Sequence, residues 1–190
     1  VGELEQPAIG ADDVLIEVHA ASVNPVDWKL REGYLKEMLH YEMPLVIGWD
    51  VSGIIKEVGA NVTELKVGDE VFSRPEIARQ GTYAEYVAVD SHLVVKKPAS
   101  LSFEEAASLP LVAHTAWQVM FEVMDAKPGD RIFIGAGSGG VGTVAIQLAK
   151  AHGLYVVTST STPNVDWVKK LGADEVIDYK QQDPADTLRD

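Results

Sequence analysis

Ile134-Gly135-Ala136-Gly137-Ser138-Gly139-Gly140-Val141-Gly142 is the stretch whose reading decides the fold. A short apolar run, Arg131–Ile134, leads into it, and a helical pattern to Ala151 leads out, with Val141, Val144, Ala145, Leu148 and Ala149 on one face. Gly137, Gly139 and Gly142 fit the spacing G-x-G-x-x-G. Each glycine in such a turn has a physical task. One permits the tight turn, one lets backbone approach a pyrophosphate, and one lets helix and strand pack closely. The helix that follows offers free N–H groups and positive dipole to phosphate. Gly135, Gly137 and Gly140 form a second possible register, but that one leaves Gly142 inside the helix without a purpose, so the register ending at Gly142 is preferred.

Working outward, Tyr155–Thr158 reads as a second strand and Pro163–Leu171 as a second helix, with Thr162 as its cap and Gly172 as its stop. Glu175–Ile177 reads as a third strand. The order β-α-β-α-β predicts a parallel sheet with right-handed crossovers, the first half of a doubly wound Rossmann domain. A site for NAD places Asp or Glu at the end of the second strand, about twenty residues past the glycines, to hold the ribose 2′-OH. Here that place holds Thr158-Ser159-Thr160-Ser161-Thr162. Hydroxyls can donate to a 2′-phosphate and do not repel it, so NADP(H) is the expected cofactor, with Ser159, Thr160 and Ser161 as donors beside Gly137, Ser138, Gly139, Gly140, Val141 and Gly142. No Lys or Arg lies in this loop, and Lys169 and Lys170 come from the following helix.

The N-terminal part has a different texture. Val14, Ile16 and Val18 alternate with Leu15 and Glu17 as in a strand, and Asn24-Pro25 opens a short helix to Arg31 that Gly33 ends. From Leu45 to Val94, glycines separate short runs such as Ser52–Val58, Glu70–Ser73 and Ala84–Val89, the rhythm of an antiparallel β-barrel or sandwich. Ser102-Phe103-Glu104-Glu105 is a capping box that opens a helical region to Met124. The domains are expected at 1–112 and 113–190.

Composition narrows the function. Hydrophobic residues make up 46% of the 190, enough for a real core. The formal charge of −13 repels nucleic-acid backbones and anionic lipid, so neither is an expected partner. The absence of cysteine removes disulfides, thiolate catalysis and Cys-based zinc sites, and a cytoplasmic setting is the simplest fit. The five histidines, His19, His40, His92, His114 and His152, show no ligand spacing, and no metal site is expected. The start Val1-Gly2-Glu3-Leu4-Glu5, with no Met, resembles the middle of a strand, and the chain stops in what reads as a further helix, so it is expected to be a fragment.

Five separated motifs carry a family resemblance: residues 20–27 (Ala-Ala-Ser-Val-Asn-Pro-Val-Asp), 48–53 (Gly-Trp-Asp-Val-Ser-Gly), 66–71 (Lys-Val-Gly-Asp-Glu-Val), 81–86 (Gly-Thr-Tyr-Ala-Glu-Tyr) and the glycine turn. Together they resemble the medium-chain dehydrogenase/reductase superfamily and, within it, the quinone oxidoreductase branch. The resemblance implies a GroES-like catalytic domain, a Rossmann domain and an active site in the cleft between them. It also implies a small-molecule quinone or enone substrate and a homodimer at full length. Where zinc alcohol dehydrogenases of the superfamily carry a catalytic Cys and a Gly-His-Glu triplet, this chain has Asn24 and Trp49-Asp50, so a zinc-independent enzyme is implied. Asn24 and Thr115 are implied as catalytic residues near the nicotinamide, and Tyr179 as a contact to the adenosine end of NADP. The Lys that often accompanies that tyrosine is Asn164 here.

Without a Lewis acid on the carbonyl, hydride transfer to an activated acceptor, a quinone or conjugated enone, is favoured over alcohol oxidation. Two alternatives remain open from the sequence. One is a non-catalytic NADPH-binding structural or regulatory homologue, the other an enoyl reductase acting on thioester enones. Trp28, Tyr34 and Trp49 could line an aromatic-tolerant pocket or fill core, and Asp27 and Asp50 could be a buried pair or backbone acceptors.

Overall fold

The structure is a computed structural model that describes residues 2–188, the side chain of residue 186 excepted. Its contacts divide the chain into two compact units after Leu111.

The first unit is built on one antiparallel sheet. Strands β1 (Asp13–Ala20), β2 (Val51–Val58), β3 (Glu70–Ser73), β4 (Tyr86–Asp90) and β5 (Val94–Lys96) lie in the order β4-β1-β2-β3-β5. Val14 and Ile16 are fully buried together with Val51, Ile55, Val71, Val87 and Val89, but Leu15 is buried as well and Val18 only half-buried, so β1 is covered on both faces at its start and the alternation expected there holds only in part. Register shifts between Leu15 and Ile16 and between Val18 and Ala20 bend β1. The strand expected over Ala84–Val89 starts two residues later. Residues 2–10 form no strand, and Val1 lies outside the described residues. Asp13, the first residue of β1, forms a two-pronged pair with Arg79, both contacts at 2.8 Å.

Helix α1 (Pro25–Arg31) follows β1, with Asn24 at its N-cap position. The Ser102 capping box forms as read: Ser102 Oγ accepts from Glu105 N at 3.1 Å, and Glu105 Oε2 accepts from Ser102 N at 2.9 Å. It opens only α2 (Phe103–Ala107), and the chain restarts at α3 (Pro110–Trp117) before a π-helical turn over Gln118–Val123. The helical region expected from residues 102 to 124 is divided near Pro110, which has no N–H to continue the α2 ladder.

The second unit holds the parallel sheet. Strands β6 (Arg131–Ile134), β7 (Tyr155–Thr160) and β8 (Glu175–Asp178) pair in sequence order, joined by α4 (Gly140–Ala151) and α5 (Val165–Lys170). A short α6 (Pro184–Thr187) follows, and Asp190 lies outside the described residues. Helix α4 buries Gly142, Ala145, Ile146 and Ala149 on the sheet, whereas Val141 is 39% exposed. Ala145 and Ala149 are thus buried as expected, Val144 and Leu148 are half-buried, and Ile146 takes a core place that the expected face did not include. Thr162–Asn164 is a 3-10 turn and α5 begins after Asn164, so Thr162 does not cap that helix. Strand β7 runs two residues further than expected, which moves Ser159 and Thr160 from a loop into the sheet.

Candidate functional site

The glycine turn is held from below by the end of β7. Gly137 N donates to Ser159 O at 2.9 Å and Ala136 N to Ser159 Oγ at 3.3 Å. Thr158 Oγ1 donates to Ile134 O at 2.6 Å, and Thr160 Oγ1 to Ser138 Oγ at 2.8 Å. Side chains cannot replace the glycines that close this arrangement. A Cβ on Gly137 would fall on Thr158 Oγ1, and a Cβ on Gly142 would meet Ala136 O at 2.5 Å. Gly139, the N-cap of α4, has Ala136 O at 3.3 Å from such a Cβ, and Gly140 has Val112 Cγ1 at 3.4 Å. Gly135 has nothing nearer than 3.9 Å.

Above this floor the first turn of α4 starts at Gly140 and Val141, whose N–H groups have no carbonyl four residues back within the helix. The result is a concave backbone surface with exposed Gly139, Gly140 and Val141 on its rim. Thr115, in α3, lines a shallow apolar hollow with Phe133, Ile134 and Val141.

A second polar group stands beside the turn. Asn164 Nδ2 donates to Ser138 Oγ at 3.2 Å and to Ser161 Oγ at 3.3 Å. Tyr179 is 48% exposed, and its N–H donates to Thr160 O at 3.1 Å, so the strand end after β8 lies alongside Ser161. Lys180 places its ammonium 5.4 Å from the Tyr179 ring centre. Ser159 and Thr160 are buried and hold the turn, whereas Ser138, Ser161, Asn164 and Tyr179 reach the surface. Lys180 is not legible as part of this group in the sequence because it follows β8, well beyond the loop after β7. Its only signal was its place beside Tyr179.

In the first unit a buried polar network surrounds Asn24. Asn24 Nδ2 donates to Asp50 Oδ2 at 2.7 Å and to Ser22 Oγ at 3.1 Å, and the Ser22 hydroxyl donates to the same Asp50 oxygen. Asp50 Oδ1 accepts the N–H of Leu111 at 2.7 Å. Burial pushes the Asp50 carboxyl above the ordinary carboxylate range, and its hydrogen bonds pull the other way. Asp27 Oδ2 accepts the N–H of Asn24 at 2.5 Å and the hydroxyl of Tyr83 at 2.8 Å. Burial, followed by the contact with Asp27, raises the Tyr83 phenol, which stays protonated. Both aspartates are thus buried members of one network. Tyr83 was missed in the sequence because nothing in its motif says which strand end it meets.

Trp49 is fully buried and belongs to the core, not to a pocket wall, whereas Trp28 and Tyr34 are exposed and meet edge to face at 5.7 Å. Among the described residues no group of three or more His, Cys, Asp or Glu side chains could hold a metal ion, and no helix is long and apolar enough to cross a membrane.

Two family models match the chain: the alcohol dehydrogenase GroES-like domain over residues 10–99 and the zinc-binding dehydrogenase family over residues 140–190. With the antiparallel unit, the parallel unit and the glycine turn in that order, the chain belongs to the medium-chain dehydrogenase/reductase superfamily. Within it, the chain stands in the quinone oxidoreductase-like branch. It is 42% identical to the human mitochondrial NAD(P)H oxidoreductase RTN4IP1, over 94% of this chain and 49% of that protein. It is 39% identical to the chloroplastic quinone-oxidoreductase homolog of Spinacia oleracea, over 96% of this chain and 57% of that protein. Among solved structures, the Escherichia coli quinone oxidoreductase complexed with NADPH superposes with a TM-score of 0.87 at 26% identity, over 99% of this chain and 56% of that one. The chain thus spans about half the length of the relatives it matches. Their names place them in mitochondrion and chloroplast, so the family is not confined to the cytoplasmic setting expected from composition.

Proposed function

We propose that the protein is a zinc-independent oxidoreductase that transfers hydride from NADPH to a quinone or a conjugated enone. The observation that carries this reading is the cradle between β6 and α4, where Cβ atoms at Gly137 and Gly142 would strike backbone or Thr158. Such a surface suits a pyrophosphate, which needs close backbone approach and N–H donors. Gly140 and Val141 supply the donors; Gly137, Ser159, Thr160 and Gly139, whose N–H donates to Ala136 O at 2.9 Å, keep the turn in shape. Ser138, Ser161, Asn164, Tyr179 and Lys180 form the place for the 2′-phosphate. β7 ends at Thr160 and Ser161 follows it, with no carboxylate at either place, so nothing at that position favours a bare 2′-OH over a phosphate. The relatives named for NAD(P)H and the neighbour named for NADPH support the same cofactor.

NADPH, when bound, supplies the hydride. Thr115 and Asn24 are assigned to the nicotinamide end, Thr115 from the hollow it shares with Val141 and Asn24 from its buried network. Zinc-independence rests on the donor set, since the chain has no cysteine, Trp49 is packed in the core, and the Asn24 amide nitrogen is committed to Asp50 and Ser22. An acceptor that is already electron-poor suits such a site, because its reduced anion is delocalised and a modest donor can protonate it.

The test is titration with NADPH and NADH separately, followed by the absorbance of bound reduced cofactor after adding quinones, enones or thioester enones. Tighter binding of NADPH with oxidation by quinones or simple enones is the expected result. Oxidation by thioester enones alone would replace the acceptor class, and tight binding with no oxidation would leave a binding protein without turnover.

A further inference from the structure

Asn24 and Asp50 determine which way the Asn24 amide faces. Asp50 is fully buried, and its Oδ1 faces the backbone N–H of Leu111, which can only donate. Its Oδ2 faces the Ser22 hydroxyl and the Asn24 amide. Both Asp50 oxygens accept, Oδ1 from the Leu111 N–H and Oδ2 from the Ser22 hydroxyl, so the Asn24 amide presents NH2 to Oδ2, because the flipped amide would set a carbonyl oxygen against an accepting oxygen at 2.7 Å. The second Nδ2 proton goes to Ser22 Oγ at 3.1 Å, whose own proton is already given to Asp50. Both protons of the side chain are then used. The amide oxygen faces the N–H of Asp27 in the capping box of α1 and keeps one further lone pair, the capacity this side chain has left for a ligand.

We propose that Asp50 is a positioning residue that makes Asn24 an acceptor-only contact, so that the ligand group Asn24 recognises must carry an N–H or O–H donor. A quinone or enone carbonyl carries neither, so Asn24 does not polarise the acceptor, and the donor to its oxygen stands elsewhere. Resting on the NADPH reading, the donor chemistry belongs to the cofactor, whose carboxamide NH2 and ribose hydroxyls both have it. This assigns to Asp50 a task beyond burial: it sets the polarity of the contact at the nicotinamide end.

The experiment compares the protein with Asp50→Asn, which keeps the volume, removes the charge and places an amide against the Asn24 NH2. The ligands are NADPH and its 3-acetylpyridine analogue, in which an acetyl group replaces the carboxamide and no N–H remains at the pyridine end. If the carboxamide is the donor, the wild type binds NADPH about tenfold more tightly than the analogue, the scale of one hydrogen bond, and Asp50→Asn brings the two together. If a ribose hydroxyl is the donor, the wild type binds both alike, and Asp50→Asn weakens both about tenfold. Wild-type affinity of Asp50→Asn for both ligands overturns the proposal.

Nitrogen-15 NMR of the Asn24 side-chain amide provides a second readout without cofactor. Its two proton signals shift in Asp50→Asn and in Ser22→Ala, and unshifted signals in either variant overturn the proposal. Ser22→Ala also serves where Asp50→Asn does not fold. If the wild type binds neither ligand while the amide signals do shift, the NADPH reading fails and the orientation of Asn24 by Asp50 stands.

Discussion

A Cβ on Gly142 would lie 2.7 Å from the Cα of Gly137, so the start of α4 and the glycine turn approach each other as closely as backbone allows. Gly142→Ala is therefore expected to push α4 off the turn, at a cost of about 1–3 kcal/mol. NADPH affinity should fall at least about tenfold with it. Gly135→Ala, with its nearest neighbour at 3.9 Å, should leave both quantities near wild type. Thermal denaturation and cofactor titration of the two variants check this; equal effects would show that the register through Gly142 is not the one that matters.

Asn164 bridges Ser138 Oγ and Ser161 Oγ without carrying charge. Asn164→Lys should raise the preference for NADPH over NADH about tenfold by placing a cation where a 2′-phosphate would sit. Lys180→Ala should lower that preference, and both effects should shrink as salt is added. The ratio of the two dissociation constants at low and high salt is the measurement. A change that acts equally on NADH would remove these residues from the phosphate site.

Arg79 beside Asp13 holds the Asp13 carboxyl below its ordinary value of 3.8, chiefly through the side-chain hydrogen bonds. Because the folded value is depressed, the stabilisation is fully present above the unfolded value and is lost as pH falls through the folded one. Asp13→Asn should cost about 1–2 kcal/mol at neutral pH, the lower range reflecting the partly exposed guanidinium. The gap in melting temperature between wild type and variant should close as pH is lowered below 3.8. A gap of constant size across that window would mean the contact is not ionic.

Tyr83 donates to Asp27 Oδ2, while Asp27 Oδ1 is buried with no hydrogen-bond partner in the protein. Tyr83→Phe would leave the carboxylate with only the Asn24 N–H on that oxygen. A loss of about 1–3 kcal/mol is expected, with a larger fall in turnover than in cofactor affinity, since α1 and Asn24 shift together. Urea denaturation and a comparison of kcat with KM decide it; an unchanged stability would show that water takes over the role of the hydroxyl.

Much of this was legible in the chain because it depends on local rules. The glycine spacing, the strand before it and the helix after it are short-range features, and close backbone approach admits no residue but glycine at Gly137 and Gly142. The Ser102 capping box was readable for the same reason, since its hydrogen bonds span three residues. The end of β7 was not. Whether Thr160 ends a strand or begins a loop depends on pairing with β8, and pairing buried two hydroxyls that composition alone would have offered to phosphate.

The sequence by itself determined that a dinucleotide cradle exists and that these 190 residues supply no thiolate, and its family resemblance implied that Asn24 stands where zinc alcohol dehydrogenases of the superfamily hold a metal ligand. Only the tertiary structure decided what Asn24 can offer. Asp50 lies 26 residues away in the chain and Leu111 a further 61, and no periodicity connects them. Their meeting fixes which atom of one amide is left for a ligand. The physical reason is that hydrogen-bond polarity is a property of a closed network, and the chain closes that network only when it folds.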